Sequence, residues 1–284
     1  MITETRASYN GVHTRVLSVA GTGLPIVLLH GFADSADTWR GLMAEFEAAG
    51  RSAIAVDLPG FGAADALAPG DYLPQLDAFA AALVAELGPV VLVGNSLGAC
   101  TAVRAASRGS RDIRGVVAVD EPVLAAHWLA RMARGRSDPF RLLGKRLRLP
   151  KVAHQQAMRA VFVRLLYGDP GTADPEVVAR FTDQVPDTAD ALLMLTNARQ
   201  FGLETAAGYD LARFACPLLV VHGRKDRIIP VHASVRLHES VPGSTLIVMP
   251  ESGHCPQLDD PSGLTAHVLR FLDSTLDGRN HRTG

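Results

Sequence analysis

The segment Val90-Val91-Leu92-Val93-Gly94-Asn95-Ser96-Leu97-Gly98-Ala99 constrains the fold of this chain more than any other stretch. An unbroken apolar run without polar alternation suits a strand covered on both faces, as in a parallel sheet flanked by helices. The run then breaks into Gly-x-Ser-x-Gly and continues into small residues that favour a helix start. A serine at such a strand-to-helix turn is held in strained backbone with its Oγ exposed. Side chains at 94 and 98 would collide with neighbouring backbone, which glycine avoids. The helix that follows directs its free amides at the turn, so the Leu97 N–H is placed to stabilise a developing oxyanion. The pattern alone is weak, because glycine and serine are common. The strand before it and the helix after it make Ser96 a candidate nucleophile.

Similar Val/Ile/Leu-rich runs recur at Pro25–Leu29, Ala53–Val56, Val116–Val119, Leu218–Val221 and Leu246–Met249. Between them, Thr38–Ala49, Gln75–Leu87, Leu97–Arg108, Val231–Val241 and Pro261–Leu276 carry helical patterning. Strand and helix in alternation predict an α/β fold with a mostly parallel sheet and helices on both faces. Thr14–Val19 alternates polar and apolar residues and reads as an antiparallel edge strand. From Glu121 to about Gly208 no strand-like run occurs, and the pattern is helical with Pro and Gly breaks. The expected organisation is a core of residues 1–120 and 209–276, a helical cap inserted at 121–208, and a flexible polar tail at 277–284.

A nucleophilic serine needs a base and an orienting carboxylate. His254 lies in Glu251-Ser252-Gly253-His254-Cys255-Pro256, just past the last strand run, where catalytic groups collect in open parallel sheets. Alone it would read as a solvated loop histidine; together with the elbow it becomes the candidate base. Asp226, in Val221-His222-Gly223-Arg224-Lys225-Asp226, also follows a strand. It completes the chain order Ser…Asp…His. Asp120 and Glu121, after Val116–Val119, are the alternative acids, and a loop cap is the plainer reading of Asp226.

At these residues the chain resembles the capped α/β-hydrolase superfamily, in particular its serine-nucleophile, esterase-like members. The resemblance rests on His30-Gly31-Phe32, Asp57-Leu58-Pro59-Gly60-Phe61-Gly62, the elbow, Gly223-Arg224-Lys225-Asp226 and Gly253-His254, and covers nearly all the chain outside 121–208. It implies that Phe32 supplies a second oxyanion N–H beside Leu97. The serine usual after the Asp-Leu-Pro-Gly-Phe-Gly stretch is replaced by Ala63, with Ala64 next, a departure of little catalytic weight. His30 is expected to be structural. Relatives that open haloalkanes or epoxides carry aspartate at the elbow, so Ser96 argues against both chemistries.

The expected activity is hydrolysis of a small or medium carboxylic ester or lactone through an acyl-enzyme, with no cofactor and no metal. The rivals are a carbon–carbon bond hydrolase or cofactor-free perhydrolase using the same residues, and a slow-turnover ligand sensor. A formal net charge of -1 gives no attraction for nucleic acid. The 3 cysteines lack metal-ligand spacing and favour a reducing compartment. No signal-peptide pattern opens the chain, and no apolar run approaches the ~20 residues that span a bilayer, so a cytoplasmic protein is expected. Within 121–208, a basic run from Arg131 to Arg164 reads first as a solvated face and second as an attraction for acidic substrates or an anionic membrane surface. Trp128, Leu129, Met132, Phe140, Leu142, Leu143, Met158, Phe162, Leu165 and Leu166 are expected to pack the insertion against the core or to line a pocket for an apolar acyl or aromatic group.

Overall fold

The apolar runs pair as strands of one sheet. The computed structural model describes residues 1–124 and 149–275. Its strands are β1 (Thr3–Tyr9), β2 (Val12–Val19), β3 (Thr22–Leu29), β4 (Arg51–Val56), β5 (Val90–Asn95), β6 (Ile113–Val119), β7 (Leu218–Gly223) and β8 (Thr245–Met249). They lie in the order β1-β2-β4-β3-β5-β6-β7-β8, with β1, β2 and β4 joined antiparallel and every other pairing parallel. The described helices are α1 (Arg40–Ala48), α2 (Tyr72–Leu87), α3 (Leu97–Ser107), α4 (Lys151–Leu166), α5 (Pro175–Asp183), α6 (Thr188–Glu204), α7 (His232–Ser240), the single turn α8 (Pro256–Asp259) and α9 (Pro261–Thr275).

Strand periodicity explains how continuous apolar runs fill two cores at once. Val27, Leu29, Leu92, Val116, Ala118 and Val220 face one side of the sheet, where they meet Leu76, Phe79 and Leu83 of α2, Val103 of α3 and Leu237 of α7. Their neighbours Ile26, Leu28, Val91, Val93, Val117, Val119 and Val221 face the other, against Leu42, Met43 and Phe46 of α1 and Leu264, Val268 and Phe271 of α9. Alternate residues of one strand thus serve opposite layers, which is why no polar residue interrupts the runs.

Two expectations need correction. Thr14–Val19 belongs to the longer β2, which is internal rather than at the edge. The edge is β1, paired with β2 from Thr3↔Ser18 to Tyr9↔Val12. The hairpin turns at Asn10 and Gly11, both at positive φ (50° and 79°), the geometry that Asn-Gly supplies for tight hairpins. β1 buries only Tyr9, so it is held by its hydrogen-bond ladder and shows no apolar periodicity. The segment Thr38–Ala49 is also not one helix: a 3-10 turn over Ala36–Trp39 precedes α1.

Between β6 and β7 the described residues hold α4, α5, α6 and a 3-10 turn, with no strand. Phe162, Leu166, Tyr167, Val177, Val178 and Phe181 of this segment pack with Cys255 and Leu258 of the core. On α6, the Glu204 carboxylate accepts the Tyr72 and Leu73 N–H groups at 2.9 and 2.8 Å. It thereby serves free donors at the N-terminus of α2. Lys151, Arg159 and Arg164 are exposed on α4. The remainder of the basic run, from Arg131 to Arg148, lies outside the described residues, as do Trp128, Leu129, Met132, Phe140, Leu142, Leu143 and the tail 277–284.

Candidate active site

The carboxyl ends of β3, β5, β6, β7 and the loop after β8 converge above the sheet. Ser96 sits at the turn from β5 into α3 with φ 52° and ψ −111°, in the left-handed region that side chains avoid. The surroundings leave it no alternative. A Cβ at Gly94 would lie 2.2 Å from the Gly98 carbonyl, and one at Gly98 would lie 2.0 Å from the Leu29 carbonyl oxygen. The Ser96 N–H donates to the Val119 carbonyl at 2.9 Å, which ties the elbow to β6. As the first residue of α3, Leu97 has an N–H with no intrahelical acceptor. The Gly31 backbone approaches so closely that a Cβ there would lie 3.6 Å from the Ser96 Cβ, which brings the Phe32 loop alongside the serine.

His254 and Asp226 meet directly: His254 Nδ1 lies 2.7 Å from Asp226 Oδ2. The other carboxylate oxygen, Oδ1, accepts the Ile228 and Ile229 N–H groups at 2.7 and 3.0 Å. Burial alone would raise the Asp226 pKa. The His254 imidazole, its hydrogen bond and the Ile229 N–H outweigh it and hold the carboxyl below its ordinary range. A carboxylate facing Nδ1 makes that nitrogen the donor and leaves Nε2 as the acceptor.

Of the two alternative acids, neither hydrogen-bonds His254. Glu121 is engaged elsewhere, accepting Tyr209 Oη–H at 2.6 Å and the Val123 N–H at 2.5 Å. Burial raises its carboxyl to about 7. Asp120 is wholly buried and accepts the Gly223 N–H at 2.9 Å.

Several supporting residues escaped sequence reasoning. Asn95 donates from Nδ2 to the His254 carbonyl at 2.9 Å and so locks the histidine loop to the elbow. Asp259 accepts the Gly253 N–H at 2.7 Å and the Gly168 N–H at 3.1 Å. Gly223 and Gly253 touch backbone to backbone, for a Cβ on Gly223 would lie 1.9 Å from the Gly253 carbonyl oxygen. Paired glycines in the acid loop and the histidine loop were the visible clue.

His30 is structural in geometry. Its Nε2 accepts the Leu58 N–H at 2.8 Å and its Nδ1 donates to the Gly31 carbonyl at 2.7 Å. Burial lowers its pKa to about 4 and keeps it neutral. Asp57 accepts Arg15 Nε–H at 2.9 Å, the Ala36 N–H at 2.7 Å and the Ala63 N–H at 2.8 Å. Position 63 therefore contributes its backbone, which accounts for alanine there.

Ser96 and His254 open on a cavity of about 340 Å³. Phe32, Leu97 and Ile229 form its floor, and Met158, Phe162, Leu165, Leu166, Phe181 and Met194 of the insertion form its roof. Asp34, Asn95, Ser96 and His254 are its polar members, and no Lys or Arg lines it among the described residues. Burial pushes the Asp34 carboxyl up to about 8, against the opposing pull of the Ser35 N–H, Thr38 and Arg180.

The model of the alpha/beta hydrolase family matches residues 26–268. The chain belongs to the alpha/beta hydrolase family. It is 30% identical to an uncharacterized protein of Mycobacterium tuberculosis over 93% of this chain and 79% of that protein. It is 29% identical to a 2-hydroxy-6-oxononadienedioate/2-hydroxy-6-oxononatrienedioate hydrolase of Pseudomonas putida, over 87% of each. Among solved structures, a serine hydrolase involved in carbazole degradation superposes with a TM-score of 0.74 at 21% identity, covering 96% of this chain and 99% of that one. Among the described residues no helix is long and apolar enough to cross a membrane.

Proposed function

We propose that this hydrolase cleaves a neutral carboxylic ester or lactone with an apolar acyl or aromatic group, through an acyl-enzyme on Ser96. His254 takes the serine proton at Nε2, and Asp226 fixes the tautomer and stabilises the imidazolium. The N–H groups of Phe32 and Leu97 receive the oxyanion. Water then attacks the acyl-enzyme with His254 as base, and neither metal nor cofactor enters the scheme. The observation that carries this reading is the strained serine and the carboxylate-bound histidine beside a cavity whose described lining is mostly apolar. We read 121–208 as the cap over that cavity and 1–120 with 209–276 as the core. The thiols of Cys100, Cys216 and Cys255 are free, which fits a reducing, cytoplasmic setting.

A second reading, carbon–carbon hydrolysis, is favoured by the Pseudomonas putida relative. Its named substrate carries two carboxylates, and in this fold such anions call for cationic partners in the pocket. The deciding experiment is a substrate panel with active-site labelling. Neutral p-nitrophenyl esters are expected to turn over, a vinylogous diketone dicarboxylate to be a poor substrate, and a fluorophosphonate to label wild type and leave Ser96→Ala unlabelled. Faster cleavage of the diketone would replace the ester reading, and equal labelling of Ser96→Ala would remove the serine mechanism.

A further inference from the structure

Behind Asp226 lies a second buried carboxyl. Asp120 follows β6 at φ 49°, a left-handed conformation that turns its side chain beneath the ends of the strands. It is fully buried, as is His222 on the neighbouring β7. Ligand atoms of Asp120, His222 and Asp226 all lie within 4.8 Å of one another. Asp120 Oδ1 accepts the Gly223 N–H at 2.9 Å, while Oδ2 is buried without a donor.

A hydrogen-bond inventory of the surroundings fixes what Asp120 has to be. His222 Nε2 faces the Ile229 carbonyl at 3.1 Å, and a carbonyl only accepts, so Nε2 carries the hydrogen. Burial lowers the His222 pKa and keeps the ring neutral. Its Nδ1 is then an acceptor and takes the Ser234 hydroxyl at 2.8 Å. That same Nδ1 stands 3.3 Å from Asp120 Oδ1. Asp226 is an acceptor on both oxygens, serving Ile228, Ile229 and His254. Asp259 adds a further acidic group nearby. Among these described neighbours the Gly223 N–H is the one donor to Asp120, and His222 Nδ1 and the Asp226 carboxylate are acceptors. A buried carboxylate there would leave an oxygen unsatisfied and set two negative charges together, both costly in a dry interior.

We infer that Asp120 is a neutral carboxylic acid that donates its proton to the Asp226 carboxylate and holds that carboxylate on His254. It is a positioning residue, acting through Asp226, and the inference rests on the reading of Asp226 as the triad acid. Burial and the charge of Asp226 both push the Asp120 carboxyl well above its ordinary range, in agreement with the inventory.

The test separates protonation from catalysis. Infrared spectra of protein with isotope-labelled aspartate are recorded at neutral pH for wild type, Asp34→Asn and the double variant that adds Asp120→Asn, because Asp34 is also held up by burial. Protonated aspartic acid absorption from both Asp34 and Asp120 is expected in wild type; Asp34→Asn should keep the Asp120 band, and adding Asp120→Asn in that background should remove it. Absence of the band from Asp34→Asn overturns the inference even if the double variant fails to fold. In steady-state assays Asp120→Asn, which keeps a donor, should stay within about threefold of wild-type kcat. Asp120→Leu, which has none, should lose roughly ten- to a hundredfold in kcat with KM little changed. Asp120→Asn falling as far as Asp120→Leu, or stoichiometric metal in purified wild type, would overturn the donor role. The band does not depend on turnover, so its presence in a protein that cleaves no ester would leave Asp120 neutral and sink only the proposed function.

Discussion

Replacing Asp226 by Asn gives an unusually clean perturbation, because the structure fixes how the new amide must sit. Asp226 Oδ1 accepts two backbone donors, the Ile228 and Ile229 N–H groups. In Asp226→Asn only the carbonyl oxygen can take both, so the NH2 group must face His254 Nδ1. An NH2 group cannot accept the Nδ1 proton, so the ring adopts the tautomer with hydrogen on Nε2. In the proposed mechanism that nitrogen is the one that receives the Ser96 proton. The geometry survives while the base is disabled. In a comparable triad this substitution costs about 10⁴ in kcat, or about 5 kcal/mol of barrier. The assay is kcat and KM on a neutral p-nitrophenyl ester, with thermal melting as a folding control. KM should change little and Tm should move by no more than about 4 °C. A kcat within about tenfold of wild type, with the fold intact, would refute the reasoning and move the acid role to another residue.

Two further outcomes follow from the packing and the buried charges. In Gly253→Ala the Cβ would lie 2.5 Å from Gly168 N and 2.6 Å from Tyr167 C, both backbone atoms that cannot rotate aside. Urea unfolding should show a loss of about 2–4 kcal/mol, and kcat should drop at least about tenfold as the histidine loop shifts. Asp34 has a folded pKa of about 8 against an ordinary 3.8, so the fold keeps a proton that the unfolded chain has released between those values. Its contribution is full below 3.8 and is lost as pH rises to about 8. Asp34→Asn keeps an acceptor for the Ser35 N–H and removes this loss, so its Tm should exceed wild type by at least about 3 °C at alkaline pH and by less in acid. An unchanged gap across the pH range would contradict it.

The core was legible in the sequence because its signals are local. Strands buried on both faces read as unbroken Val/Ile/Leu runs, and each run expected from Pro25 to Met249 lies within an observed strand. The elbow was legible because Gly94 and Gly98 answer specific backbone collisions. What escaped notice lacked apolar periodicity or depended on distant partners. β1 is polar on most of its surface, though Asn10-Gly11 was a visible hairpin mark. Asn95, Asp259 and Gly168 acquire their roles only when loops from opposite ends of the chain meet. Asp120 and Asp226 looked equivalent, each following a strand. Only the fold shows that one touches His254 and the other stands behind it.

The proposed function places chemistry and specificity in different parts of this chain. Ser96, Asp226 and His254 stand on loops at the ends of β5, β7 and β8, whereas most of the cavity roof comes from α4, α5 and α6. A family resemblance that spans the whole core therefore transmits the nucleophile more faithfully than the substrate. The energetics sharpen this. Each methylene moved into an apolar cavity favours binding by about 0.8 kcal/mol, whereas a carboxylate buried there without a partner costs several kcal/mol. Met158, Phe162, Leu165 and Met194 can supply the first term and cannot offset the second. The ester proposal uses the first term, which the described part of the roof supplies.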